Sequence, residues 1–258
     1  MKRIIIIASV VGALLLIAVP SFAAPIHGTG FDGGQAYYDR ITGYYTGSGG
    51  EFTLRHPNDY PSADVTRGLR LTNMAYHEWT KAQDGNSESF QTFCMEAGEY
   101  VAQPMDIWVS TEFTTGAPGS HAWHGGMSGV GDDLDPRTAF LYTYFAKGLL
   151  GPYGYDYTPG SGREASAGAL QHAIHYIEGE TTDVPTGLAL TFFNHATAAV
   201  ADGGVWYGLG IGNVRVLQMY YGATAKQDQL WLMFPAPGAA LLGLIGLGML
   251  GWVKRRIS

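Results

Sequence analysis

REASAGALQHAIHYIEGE, residues 163–180, spaces Leu170, Ala173, Ile174 and Ile177 three and four residues apart. That is the period of one face of a helix. Ser166 is in position to act as an internal N-cap, and Gly179 ends the pattern. A second helix is expected just upstream, in DPRTAFLYTYFAKGLL (135–150). There Asp135 precedes Pro136, whose missing N–H does no harm at a first helical position. Ala139, Leu141, Tyr142, Phe145 and Leu149 supply its apolar positions. Downstream, GLALTFFNHATAAVADG (187–203) fits a helix or a strand and turn.

The flanks read differently. Residues 25–50 alternate glycine with aromatic residues, as short strands joined by turns do. GEFTLRH (50–56), FQTFCMEAGEYV (90–101) and MDIWVSTEF (105–113) read as strands. In the second of these, Phe90, Thr92 and Cys94 alternate with Gln91, Phe93 and Met95. Residues 114–135 are rich in Gly and Asp and read as a loop. VWYGLGIGNVRVLQMYY (205–221) and QDQLWLMF (227–234) return to strands. Strands, then helices, then strands describe an α+β fold, a β-rich domain with two or three helices, and not an alternating parallel sheet.

Both ends of the chain carry apolar runs. Lys2 and Arg3 precede the run Ile4–Val19, and Ser21-Phe22-Ala23 places small residues where a signal peptide is cut. Residues 1–23 therefore read as a secretory signal peptide, the other reading being a permanent anchor. At the far end, residues 238–253 hold no charge and Lys254, Arg255 and Arg256 follow. At ~1.5 Å per residue against a ~30 Å hydrocarbon layer, this run is near the lower limit for a single transmembrane helix. The basic cluster would stay cytoplasmic.

Pro235-Ala236-Pro237, the short apolar span and the terminal basic cluster together resemble the PEP-CTERM sorting signal. The family's central glutamate is Ala236 here. The resemblance implies export in a Gram-negative bacterium, retention in the inner membrane, and processing by exosortase, a membrane transpeptidase of exopolysaccharide producers. It divides the chain into a signal peptide (1–23), an exterior domain (24–234) and a sorting segment (235–258).

All 22 acidic residues fall in that exterior stretch with ten of the 15 basic ones, a formal balance of −12. Such a surface excludes nucleic acid as a partner. Just over 200 residues make one domain or two small ones.

An exported chain with one cysteine, Cys94, is unusual, because exported proteins pair their thiols or lack them. TFCMEAGEY and ALQHAIHYIEGE resemble the two motifs of bacterial thioester domains. In that family a strand cysteine bonds to the glutamine of a Thr-Gln-x-Ala-Ile-Trp helix motif. Cys94 and Gln171 match these positions, and Ala173 and Ile174 match the Ala-Ile pair. Leu170 replaces the threonine and His175 the tryptophan. The resemblance implies a thiolate attack on the glutamine amide, loss of ammonia, and an internal thioester open to an amine or hydroxyl of a surface target. Phe90, Phe93, Tyr100 and Tyr176 are candidate shields, and His172 and His175 candidate general bases. The other reading of Cys94 is an ordinary packed core residue.

Further constellations carry less. His121, His124, His172 and His175 form two H-x-x-H pairs without a carboxylate or cysteine at ligand spacing. Asp132, Asp133 and Asp135 lack the calcium-loop pattern. Ser128 is out of register for a hydrolase elbow, and nothing places a sugar cleft at Glu96 and Glu99. No enzyme, cofactor or metal is expected. The expectation is a surface or matrix protein, either a covalent adhesin or a non-covalent structural or carbohydrate-binding protein associated with exopolysaccharide in a biofilm.

Overall fold

The computed structural model describes residues 39–46, 49–55, 76–81, 89–98, 106–109, 133–221 and 224–233. They lie within one compact stretch, Ile26–Phe234. The class is α+β, with three helices and two small antiparallel sheets among the described residues. The first sheet runs β1 (Asp39–Thr46), β2 (Gly49–Arg55), β3 (Phe90–Thr92). The second runs β4 (Asp106–Val109), β5 (Val214–Tyr221), β6 (Thr224–Leu232).

The strand expected over 90–101 is shorter and changes partner. Its first three residues pair with β2, Phe52 facing Thr92 and Leu54 facing Phe90. From Phe93 it turns to β6: Leu230 N–H donates to Phe93 O at 3.1 Å, and Met95 N–H to Asp228 O at 2.9 Å. Residues 90–95 thereby link the two sheets. The expected two faces are not an inside and an outside, since residues 90–96 are all buried. Two tyrosines brace this junction. Their hydroxyls meet at 2.7 Å, Tyr142 donates to Gln91 O at 3.0 Å, and Leu232 N–H donates to Tyr76 Oη at 2.9 Å.

Helix α1 (Pro136–Ala146) begins as its sequence requires. Asp135 is extended, and its carboxylate accepts from Arg137 N–H at 2.7 Å, satisfying a donor that the first turn leaves open. The helix stops before the expected 150, so Leu149 lies beyond it and is exposed. At its end, Ala146 O accepts from His77 N–H at 2.7 Å and Thr80 Oγ1 at 2.5 Å, so the segment 76–81 acts as a cap. Most of α1 is buried, because it packs against the two other helices as well as β5 and β6.

Helix α2 (Ser161–Ile177) starts at Gly160 and not at an internal cap. Ser166 Oγ instead donates to Gly162 O and accepts from Asp156 N–H. Leu170, Ala173, Ile174 and Ile177 are buried, as the spacing predicts, and Gly179 follows the end at φ +76°. Helix α2 packs on β1, β2 and α3. The ambiguous stretch 187–203 is a helix, α3 (Gly187–Val200). The strand expected from 205 begins only at Val214; Gly208, Gly210 and Gly212 take positive φ in the turns before it.

Among the described residues no helix is long and apolar enough to cross a membrane. The expected signal peptide, the span at 238–253, and Pro235, Pro237, Lys254, Arg255 and Arg256 lie outside the described residues.

Candidate functional site

Cys94 sits where the linking strand meets β6. It faces Gln229 as an isolated antiparallel bridge. Phe93 O and Met95 N–H make the two bonds to β6, so Cys94 and Gln229 form the non-hydrogen-bonded pair between them. In such a pair the side chains come closest, and the main-chain N–H and C=O point away from the partner. On that far side stands α2. Cys94 N–H donates to Gln171 Oε1 at 3.0 Å, and Gln171 Nε2 donates to Cys94 O at 2.7 Å. A primary carboxamide offers both a donor and an acceptor in one plane. Gln171 therefore takes the place of a neighbouring strand, and both residues are buried.

The sulfur has its own partner. Gln229 Nε2 donates to Cys94 Sγ at 3.2 Å and to Gln227 O at 3.2 Å. Gln229 is fully buried, yet its Oε1 has no hydrogen-bond partner. On the other side of Gln171, Gly49 lies so close that a Cβ there would stand 2.8 Å from Gln171 Cγ and 3.5 Å from Cδ. Gly49 takes φ +120°, a conformation that side chains rarely adopt. The amide of Gln171 is thus enclosed by the Cys94 backbone and the start of β2.

The two candidate bases part company. His175 is one turn beyond Gln171 on the same helix face, buried, with Nε2 lacking a partner. Burial, and then the neighbouring His172, push its pKa down from 6.5 to about 4, so it is neutral at pH 7. His172 is half-buried and its Nε2 lies 3.0 Å from Asp183 O. Of the candidate shields, Phe90 and Phe93 are buried in the core, whereas Tyr176 packs edge-on against Phe193.

Glu96 is buried, and its Oε2 accepts from Asp228 N–H at 2.9 Å. Asp133 is exposed, and Asp135 caps α1 and pairs with Arg137. No group of three metal-ligating side chains comes together among the described residues. Tyr100, Glu99, His121, His124, Ser128 and Asp132 lie outside them.

Sequence reasoning missed Gln229 and Gly49, and a second buried cluster on α2. Arg163 Nε donates to Glu51 Oε2 at 2.9 Å, and its NH2 group reaches Glu51 Oε1, Gln91 Oε1 and Trp79 O. Tyr155 Oη donates to the same carboxylate at 2.8 Å, and the guanidinium lies 4.3 Å from the Tyr44 ring centroid. Burial pushes the Glu51 carboxyl up while Arg163 pulls it down. The alternation in QDQLWL places Gln227, Gln229 and Trp231 on one face, and that was the available signal. No local pattern says that this polar face is buried.

Compared with known proteins, the chain matches no family model, no curated protein and no solved structure.

Proposed function

We propose that this chain is an exported surface or matrix protein, not an enzyme, whose Cys94 and Gln171 condense to an internal thioester for one covalent attachment. One observation carries the reading: the Gln171 carboxamide is held in the interior against both main-chain polar groups of Cys94. The chemistry balances. Sγ attacks Cδ, the C–N bond breaks, and the thiol proton leaves with the nitrogen as ammonia. Cys94 N–H already donates to the carbonyl oxygen under attack, where negative charge gathers. An amine or hydroxyl on a surface target then forms the new bond to Cδ and returns a proton to sulfur. The N-terminal signal peptide, the C-terminal transmembrane helix and exosortase-type sorting belong to the same proposal. They rest on the residues of the two ends.

A second reading has its own support. Gln171 satisfies a buried N–H and a buried C=O that would otherwise be costly. A non-covalent structural or carbohydrate-binding protein would keep the residue for that alone. Intact mass of the surface form separates the two. The covalent reading expects a mass about 17 Da below the sequence value for the mature termini, and methylamine addition with release of one thiol. A mass at the sequence value, with the thiol titratable beforehand, rejects the bond. The same spectrum reads both termini, and an intact C-terminal segment on the exterior form rejects the processing.

A further inference from the structure

We infer that Gln229 is a positioning residue for the Cys94–Gln171 pair, donating a hydrogen bond to the sulfur and so favouring the thiolate that must form when the S–C bond is made and that leaves when it breaks. The inference deepens the thioester reading and rests on it. Gln229 stands opposite Cys94 across the bridge, where side chains meet most closely. Its Nε2 carries two hydrogens and has two acceptors, Cys94 Sγ and Gln227 O, each at 3.2 Å. Gln227 O fixes which way the amide lies, because a flipped amide would set one carbonyl oxygen against another. Sulfur therefore receives a donor.

The unpartnered Oε1 of Gln229 points the same way. A residue kept only to fill the core would do better as leucine or methionine, with no carbonyl left unpaired in the interior. A donor aimed at sulfur helps both directions of the proposed chemistry. When the S–C bond forms, the thiol must first give up its proton. When an amine later forms its N–C bond to Gln171 Cδ and the S–C bond breaks, sulfur leaves carrying the electron pair before it takes the amine's proton. Hydrogen bonding to the charged form favours that form in each case.

The test uses the full chain treated with methylamine, so that Cys94 is a thiol whether or not a thioester had formed. With a single cysteine in the sequence, a cysteine-selective ¹³Cβ label gives one signal, and its shift with pH gives the midpoint of Cys94 ionisation. Gln229→Met, similar in size and without a donor, should raise that midpoint by about one pH unit. The titratable groups on the elements enclosing Cys94 are Arg163, Glu164, His172, His175 and Tyr176 on α2, Glu96 on its own strand, and Lys226 and Asp228 on β6, and the substitution leaves them all in place. An unchanged midpoint overturns the inference. If Gln229→Met does not fold, the native chain decides. The Gln229 side-chain amide resonance should move with the Cys94 midpoint, and an amide signal that ignores it overturns the inference equally. A chain that never shows the mass deficit defeats the thioester reading, a separate outcome from either titration result.

Discussion

Arg163 and Gln171 lie about two helical turns apart on α2, both buried against β strands, yet their surroundings differ in kind. Arg163 meets a full charge, Glu51, and the pair is completed by Tyr155, Gln91 and two main-chain carbonyls. Gln171 meets only neutral groups, and beside it Gln229 Oε1 and His175 Nε2 are left without partners. The first cluster contributes none of the unpartnered buried side-chain atoms among the described residues; the second contributes two. A saturated ionic cluster fixes where α2 sits on the first sheet. An unsaturated neutral one stores polar atoms at a point where chemistry is proposed. The same helix serves as clamp at one end and carries the carboxamide of the proposed chemistry in the middle.

The comparison breaks first at Arg163. Arg163→Ala leaves Glu51 buried without its counter-ion, and removing one partner of such a pair costs about 3–5 kcal/mol. Denaturant unfolding should show a loss of that size. The double variant Glu51→Leu, Arg163→Met should lose less than the single one, since an apolar pair carries no desolvation cost. A loss under about 1 kcal/mol for Arg163→Ala would show that the cluster does not clamp the helix.

How much of this was legible depended on distance along the chain. The helix stripes were readable because Leu170, Ala173, Ile174 and Ile177 report their own period, and the cap at Asp135 because its partner is two residues away. The pairing of Cys94 with Gln171 spans 77 residues and was suggested only through a motif resemblance. Gln229 lies 135 residues from Cys94 and Arg163 lies 112 from Glu51, and neither has a local signature. In Arg163 and Glu51 the sequence shows two charged residues of the kind that usually face water. Burial on both faces of residues 90–96 also defeated the alternation rule, which assumes that one face is wet.

The neutral cluster should announce itself through pH. His175 titrates near 4 in the fold and near 6.5 when exposed. As pH falls through 6.5 the unfolded chain binds a proton that the folded chain refuses until about pH 4. Stability from this group is therefore complete above 6.5 and is lost progressively down to 4, by about 3 kcal/mol in all. His175→Asn should flatten the unfolding profile across that window relative to the native chain. Glu51 in the ionic cluster, raised above its ordinary value mainly by burial, acts in the opposite sense, and His175→Asn leaves it unchanged. Parallel profiles for the two chains would show that His175 is not the buried neutral group described here.

The smallest effect sharpens the comparison most. Gly49 and Gly160 both hold positive φ, at +120° and +135°, one against Gln171 and the other at the start of α2. A Cβ on Gly160 meets nothing within 4 Å, while one on Gly49 falls 2.8 Å from Gln171 Cγ. Gly160→Ala thus measures backbone strain, and Gly49→Ala measures strain together with displacement of the Gln171 side chain. Strain of this kind costs about 1–3 kcal/mol, so Gly49→Ala should exceed Gly160→Ala by the packing term alone. That excess should vanish in a Gln171→Ala background, where the obstructing atoms are gone, and this cycle isolates the contact. Equal losses for the two glycines, with no change on removing Gln171, would mean that Gly49 does not enclose the amide. Under the proposed thioester, Gly49→Ala should also suppress the mass deficit more than Gly160→Ala, because it shifts the carbon that Cys94 would attack.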